Sequence, residues 1–182
     1  LRATSGPGRS RRRWAASSTA STADRATTLS TFWRLAREPF QELDGEGARL
    51  YGGRWNSAGT PVVYTSGTLS LAVLEMLVHV DPEDLPRDLV ALRVEVAGKV
   101  SSHRVRPEEL PDDWAEVPGH PACRELGDEW LSNGKSLLLR VPSAIVWEEE
   151  NVLVNPRHPE AEKLQVASVR PFRFDARLLR SG

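Results

Sequence analysis

Apolar and polar positions first fall into a regular pattern at Phe32. Before it, residues 1–28 follow neither the alternation of a strand nor the 3.6-residue repeat of a helix and hold almost nothing to bury, so they read as a disordered tail. Beyond it, Pro61–Ser66 is a β-branched and aromatic run, and Leu89–Val96 alternates with Val90, Leu92, Val94 and Val96 on one face. Both segments predict strands. Between them, Ser66–His79 opens with hydroxyl caps and continues apolar around most of its circumference, which predicts a buried central helix. Ser136–Val141, Asn151–Asn155 and Ser168–Phe174 predict further strands. Residues 104–121 hold four prolines and many acids and predict an irregular cover. The sum is a compact α+β domain over residues 29–182, without internal repeats, its helices segregated from a largely antiparallel sheet.

Composition narrows the class. A chain of 182 residues with 40% hydrophobic and 27% charged residues suits one globular domain. Its longest apolar stretch, Leu71–Val78, is interrupted by Glu75 and is far shorter than the roughly 20 residues of a membrane-spanning helix. Cys123 is the one cysteine, so no internal disulfide forms and a reducing cytoplasm is the expected compartment. Residues 1–28 carry six arginines against one aspartate, which leaves 18 basic and 24 acidic side chains, a charge of −6, on the rest. An acidic body argues against a broad or sequence-reading nucleic-acid surface, because phosphate contacts require a basic face. The arginine- and serine-rich start also has the composition of a transit peptide. With Leu1 first and Met76 the one methionine, the chain reads as a fragment or as extended upstream of its working start.

Candidate chemistry centres on Gly52-Gly53-Arg54-Trp55-Asn56. Two glycines let a backbone approach a ligand closely, and a guanidinium offers a planar donor fork to phosphate or carboxylate oxygens. The plainer reading of the same five residues is a glycine turn before a core tryptophan. Arg34 and Arg54 each stand beside a tryptophan, and two such arginines suit a pyrophosphate clamp or, more simply, surface ion pairs. Tyr64 in a strand suits stacking on a flat heterocycle or plain core packing. On a helical wheel Glu75 borders Leu71 and Val78, with His79 the next polar group, so it is either a solvated stripe or a carboxylate at the floor of a cleft. Ser143 lacks a nucleophile-elbow setting, which speaks against a serine hydrolase. His120 and Cys123 have a local metal-ligand spacing without a second pair, so no metal is expected. Neither a Walker A loop nor a Gly-x-Gly-x-x-Gly turn is present.

Taken in order, Trp33-Arg34, Gly47-Ala48, Gly52-Gly53-Arg54-Trp55-Asn56, Gly59, Val63-Tyr64-Thr65-Ser66, Leu71-Ala72-Val73-Leu74-Glu75, Val141-Pro142-Ser143-Ala144 and Asn151–Pro159 resemble the RES-domain toxins over about residues 32–178. The resemblance implies a fold similar to ADP-ribosyltransferases and diphtheria-type toxins, NAD+ as substrate, and a partner antitoxin of the Xre helix-turn-helix type. It assigns Glu75 and Arg54 to catalysis and Arg34, Tyr64, Ser143 and Asn151 to substrate binding. Leu35 departs from it, standing where the family places an aromatic. The implied reaction breaks the bond between nicotinamide and ribose, with inorganic phosphate or water as acceptor and no resident cofactor. ADP-ribosyl transfer to a protein is the neighbouring expectation. A non-catalytic module that binds NAD+ or an antitoxin is the expectation from another class, and a homo-oligomer stays open.

Overall fold

The computed structural model describes residues 31–179. The tail expected over residues 1–28 lies outside them. Seven strands form one sheet: β1 (Thr31–Arg37), β2 (Val63–Ser66), β3 (Leu89–Val96), β4 (Ser102–Arg104), β5 (Leu138–Pro142), β6 (Glu150–Val154) and β7 (Leu164–Pro171). Their order across the sheet is β4-β5-β6-β2-β1-β3-β7. All neighbours are antiparallel except β4 and β5. Among the described residues three α-helices accompany the sheet: α1 (Glu46–Tyr51), α2 (Leu69–Leu77) and α3 (Pro121–Asn133). The expected α+β class with a largely antiparallel sheet is what the chain forms. Among the described residues no helix is long and apolar enough to cross a membrane.

Side-chain alternation sorts the central strands onto two cores. Leu139 and Val141 of β5 and Leu153 of β6 meet Trp55, Trp114, Trp130 and Cys123 on one face. Leu138, Val152 and Val154 meet Phe32, Val63 and Val94 on the other. Burial on both faces is why these strands read as nearly unbroken apolar runs.

The interior of α3 carries a glycine for a steric reason. A Cβ on Gly127 would lie 1.7 Å from the carbonyl oxygen of Trp55, so only glycine lets this helix rest on that backbone. His120 caps the helix by accepting from the Ala122 N–H at 3.1 Å, and Cys123 is fully buried. The pair that suggested a metal spacing thus has a capping role and a core role.

α2 and the last strand depart most from the expected bounds. α2 begins after Thr68, whose hydroxyl accepts from the Leu71 N–H at 3.1 Å, and ends before His79, which lies in the following turn. It is also less buried than its apolar wheel suggested: Leu71 and Ala72 are enclosed, whereas Leu74 and Val78 are exposed. The cause is position, since α2 packs one side on β1 and β2 and turns the other to solvent at the rim of a cleft. The last strand runs over Leu164–Pro171 rather than Ser168–Phe174, because its register against β3 starts at Val96↔Leu164.

Candidate active site

β1 and β2 share a single register pair, Trp33↔Ser66, and then part. Continued antiparallel pairing would set Arg34 against Thr65 and Leu35 against Tyr64. Instead these four residues line a cleft of about 850 Å³ opened between the diverging strands. That volume is at the upper end for small-molecule sites, in the range suited to a dinucleotide. Glu75 and His79 line it from α2 and beyond, Gly52–Trp55 from the loop after α1, Ala115 and Val117–Gly119 from the irregular cover, and Asn151 from β6.

Glu75 is half-buried and its carboxylate is oriented by the sheet. Asn151 Nδ2 donates to Glu75 Oε1 at 2.5 Å, and Ser66 Oγ donates to Asn151 Oδ1 at 2.7 Å, which fixes the amide's orientation. Ser143 Oγ approaches the same Oε1 at a longer 3.4 Å. Both bonds land on Oε1, and neither uses Oε2. Ser143 is fully buried, and its oxygen accepts the backbone N–H groups of Ile145 and Val146, each at 3.1 Å. An enclosed hydroxyl with its lone pairs so engaged orients a neighbour; it is no nucleophile.

The glycine-rich loop is built around Asn56, which is fully buried. Its Nδ2 donates to the carbonyls of Ala48, Ser57 and Thr60, and its Oδ1 accepts from Tyr64 Oη at 2.9 Å. Tyr64 Oη in turn accepts the Trp55 N–H at 3.1 Å. Gly53 makes room for this lock, since a Cβ there would stand 2.5 Å from Tyr64 Oη. Burial pushes the Tyr64 phenol well above its usual range against the opposing pull of the Trp55 N–H and of Arg124 and Arg54, so the ring is a neutral wall of the cleft.

The two predicted arginines differ in what they hold. Arg34 donates one N–H to the Glu42 carbonyl at 2.6 Å, and burial lowers its basicity while Asp44 opposes that effect. A partly desolvated cation of this kind gains most from an incoming anion. Arg54 donates to three backbone carbonyls, those of Trp114 at 2.7 Å, Ala115 at 3.3 Å and Glu116 at 3.1 Å. It therefore moors the irregular cover and keeps two of its five N–H groups for other partners. Leu35 is 8% exposed and packs with Ala72 and Ala91, so the position expected to be aromatic carries core packing at the cleft floor.

The geometry thus brings Arg34, Arg54, Tyr64, Glu75 and Asn151 to one cleft, with Ser143 enclosed behind Glu75. Sequence reasoning missed Asn56 as the keystone of the loop and α3 as a wall of the site. Ser57 is tied to α3 through Asp128, which accepts from its N–H at 2.8 Å and its hydroxyl at 2.6 Å. The Asn56 role had a signal, a polar residue closing a Gly-Gly-Arg-Trp run, whereas the Asp128 tie spans 71 residues and had none.

The RES domain family model matches residues 31–175 of the chain. The chain belongs to the RES-domain toxin family. Its relatives include a Prs ADP-ribosylating toxin of Sphingobium sp. (strain YBL2), 36% identical over 159 residues, covering 84% of this chain and 99% of that protein. Toxin Res of Photorhabdus laumondii is 39% identical over 153 residues, covering 82% and 97%. Toxin Res of Pseudomonas putida is 39% identical over 148 residues, covering 80% and 97%. In the crystal structure of the M. tuberculosis MbcT–MbcA toxin–antitoxin complex, one chain shares this RES-domain fold with a TM-score of 0.65 at 18% identity, over 79% of this chain and 84% of that one.

Proposed function

We propose that this RES-domain protein is the toxin of a toxin–antitoxin pair and cleaves the bond between nicotinamide and ribose in NAD+. The observation that carries the reading is the Glu75 carboxylate, held at Oε1 by Asn151 and facing a cleft lined by two arginines and a neutral tyrosine. As the glycosidic bond lengthens, positive charge develops on the ribose, and a fixed carboxylate in a partly desolvated site stabilises it without reorganising. The bonding electrons leave with nicotinamide, which departs as a neutral base, so no second carboxyl is needed to protonate it. An acceptor oxygen then forms the new bond to the ribose carbon. Inorganic phosphate yields ADP-ribose phosphate and water yields ADP-ribose with release of a proton; either route depletes NAD+. Arg34 serves the diphosphate, Arg54 moors the cover and has two N–H groups left for the same ligand, Tyr64 walls the nicotinamide end, and Ser143 and Asn151 keep Glu75 in place. NAD+ is substrate here and no resident cofactor or metal takes part.

The partner in this reading is an Xre-type helix-turn-helix antitoxin. The naming of the MbcT–MbcA complex as toxin and antitoxin supports an antitoxin partner, and the Xre type rests on the family resemblance. The name of the Sphingobium relative favours a second reading, ADP-ribosyl transfer to a protein acceptor by the same bond cleavage.

The test is nicotinamide release from NAD+ by purified protein, with and without inorganic phosphate, beside Glu75→Gln. Loss of a fixed carboxylate facing the developing charge should cost roughly 10²–10³-fold in kcat. Release that requires phosphate identifies a phosphorylase, and release without it a glycohydrolase. Adenylate label that becomes protein-bound selects transfer. Binding of NAD+ without release under every acceptor condition would identify a non-catalytic module, and undiminished release by Glu75→Gln would remove that residue from the mechanism.

A further inference from the structure

A third arginine, Arg124, lines the cleft, and no sequence motif singles it out. Arg124 stands on α3, three residues before Gly127, and therefore on the same face of that helix. Gly127 seats that face directly on the Trp55 carbonyl, one residue past Arg54. Gly119, just before the helix, abuts the Arg54 stem: a Cβ there would lie 3.1 Å from Arg54 Cγ. Close packing of α3 thus seats Arg124 on a helix anchored beside Arg54, in a cleft whose lining Arg34 of β1 shares.

The three arginines are unequal in capacity. Arg54 spends three N–H groups on the carbonyls of residues 114–116 and Arg34 spends one on Glu42. Arg124 is exposed and makes no hydrogen bond or ion pair among the described residues. An exposed arginine is ordinarily a solvated surface charge. This one instead lines an 850 Å³ cleft with all five donors uncommitted, and shares that cleft with a second cation, Arg34, whose burial leaves it short of solvation.

We infer that Arg124 is an oxyanion-binding residue of the cleft, supplying with Arg34 the pair of guanidinium groups that grips a phosphate, while Arg54 chiefly holds the cover in place. The inference rests on the nucleotide-cleaving reading for the identity of the natural ligand, and the phosphate group so held belongs either to the dinucleotide's diphosphate or to an inorganic phosphate acceptor. Both sources present the same chemistry, tetrahedral oxyanions that accept from a guanidinium fork.

Inorganic pyrophosphate, inorganic phosphate and NAD+ are the probes, titrated into the full chain while tryptophan fluorescence or heat is followed, for the wild type, Arg124→Ala and Arg124→Lys. Arg124→Ala should weaken binding about tenfold or more, in keeping with the loss of a charge-assisted bidentate contact, and Arg124→Lys should recover part of it. Weakening confined to pyrophosphate and NAD+ places the residue on the diphosphate; weakening confined to phosphate places it on the acceptor. Equal affinities of wild type and Arg124→Ala for all three probes, or no binding of any probe by the wild type, would overturn the assignment. Thermal midpoints should be unchanged, because the side chain is exposed and unbonded. If nicotinamide release is absent while pyrophosphate binding still depends on Arg124, the proposed reaction falls and the oxyanion site stands.

Discussion

Gly53→Ala tests the lock that shapes the cleft. Gly53 has no left-handed φ, so alanine is compatible with its backbone and any penalty comes from contact. The new Cβ would stand 2.5 Å from Tyr64 Oη, 2.9 Å from Tyr64 Cζ and 3.1 Å from Asn56 Oδ1. Ordinary carbon contacts need about 3.5 Å, so the ring must recede by about 1 Å. That shift breaks two hydrogen bonds, from Tyr64 Oη to Asn56 Oδ1 at 2.9 Å and from the Trp55 N–H to Tyr64 Oη at 3.1 Å. Each is worth about 1 kcal/mol, and the Trp55 N–H left unpaired adds about 1–2 kcal/mol. Reduced unfolded-state entropy returns about 0.5–1 kcal/mol. The net loss is about 2–3.5 kcal/mol, read as a lower urea midpoint at constant m-value and a melting temperature lower by about 5–10 °C. A double-mutant cycle identifies the cause. In a Tyr64→Phe background the 2.5 Å contact and both bonds are already gone, so Gly53→Ala should cost about 1–2 kcal/mol less than in the wild type. An equal cost in both backgrounds, or a loss under about 0.5 kcal/mol in the wild type, would refute the account.

Asn151→Ala removes the donor to Glu75 Oε1 and orphans the Ser66 hydroxyl, so the carboxylate loses its orientation. In a nicotinamide-release assay kcat should fall about tenfold or more with KM little changed, whereas an unchanged kcat would show that Glu75 needs no such support. Glu160 lies elsewhere, held by Lys163 Nζ at 2.7 Å and by the hydroxyl and N–H of Ser101, which together pull its carboxyl down to about 2. A depressed carboxylate contributes stability that is fully present above its unfolded value of about 4.5 and is lost as pH falls toward 2. Glu160→Gln should therefore be less stable than the wild type near neutrality, and that deficit should shrink between pH 4.5 and 2. A deficit independent of pH across that window would sink the assignment.

Most strands and the helix that carries Glu75 were legible because they obey one strong rule each. β3 and β6 carry apolar runs bounded by turns, and α2 follows a hydroxyl cap. β1 was not read as a strand because Arg34 interrupts Phe32-Trp33-Leu35-Ala36 and Arg37 closes it, and the interruption belongs to the site, since Arg34 lines the cleft where β1 parts from β2. α3 was missed for a related reason. Its proline start, mixed polarity and interior Gly127 weaken a helical reading, yet that glycine is what lets the helix touch Trp55. The motif residues around the cleft were legible as a set, but their division of labour was not. Arg54 is fixed by carbonyls 60 to 62 positions away, a contact that no local pattern encodes.

That division sorts the cleft by saturation. Asn56, Tyr64, Ser143 and Arg54 spend most of their polar groups on the protein itself, so they hold the shape. Glu75, Arg34 and Arg124 keep oxygens or N–H groups outside those bonds and line the same space. A buried polar group stripped of its partners carries a desolvation cost whether or not ligand is present, whereas an uncommitted one at a cleft wall gains only when ligand arrives. Substitutions in the first set should therefore lower stability and activity together. In the second set they should lower activity or affinity at nearly constant stability, which is how a fold keeps a charged, solvent-open cleft without unfolding around it.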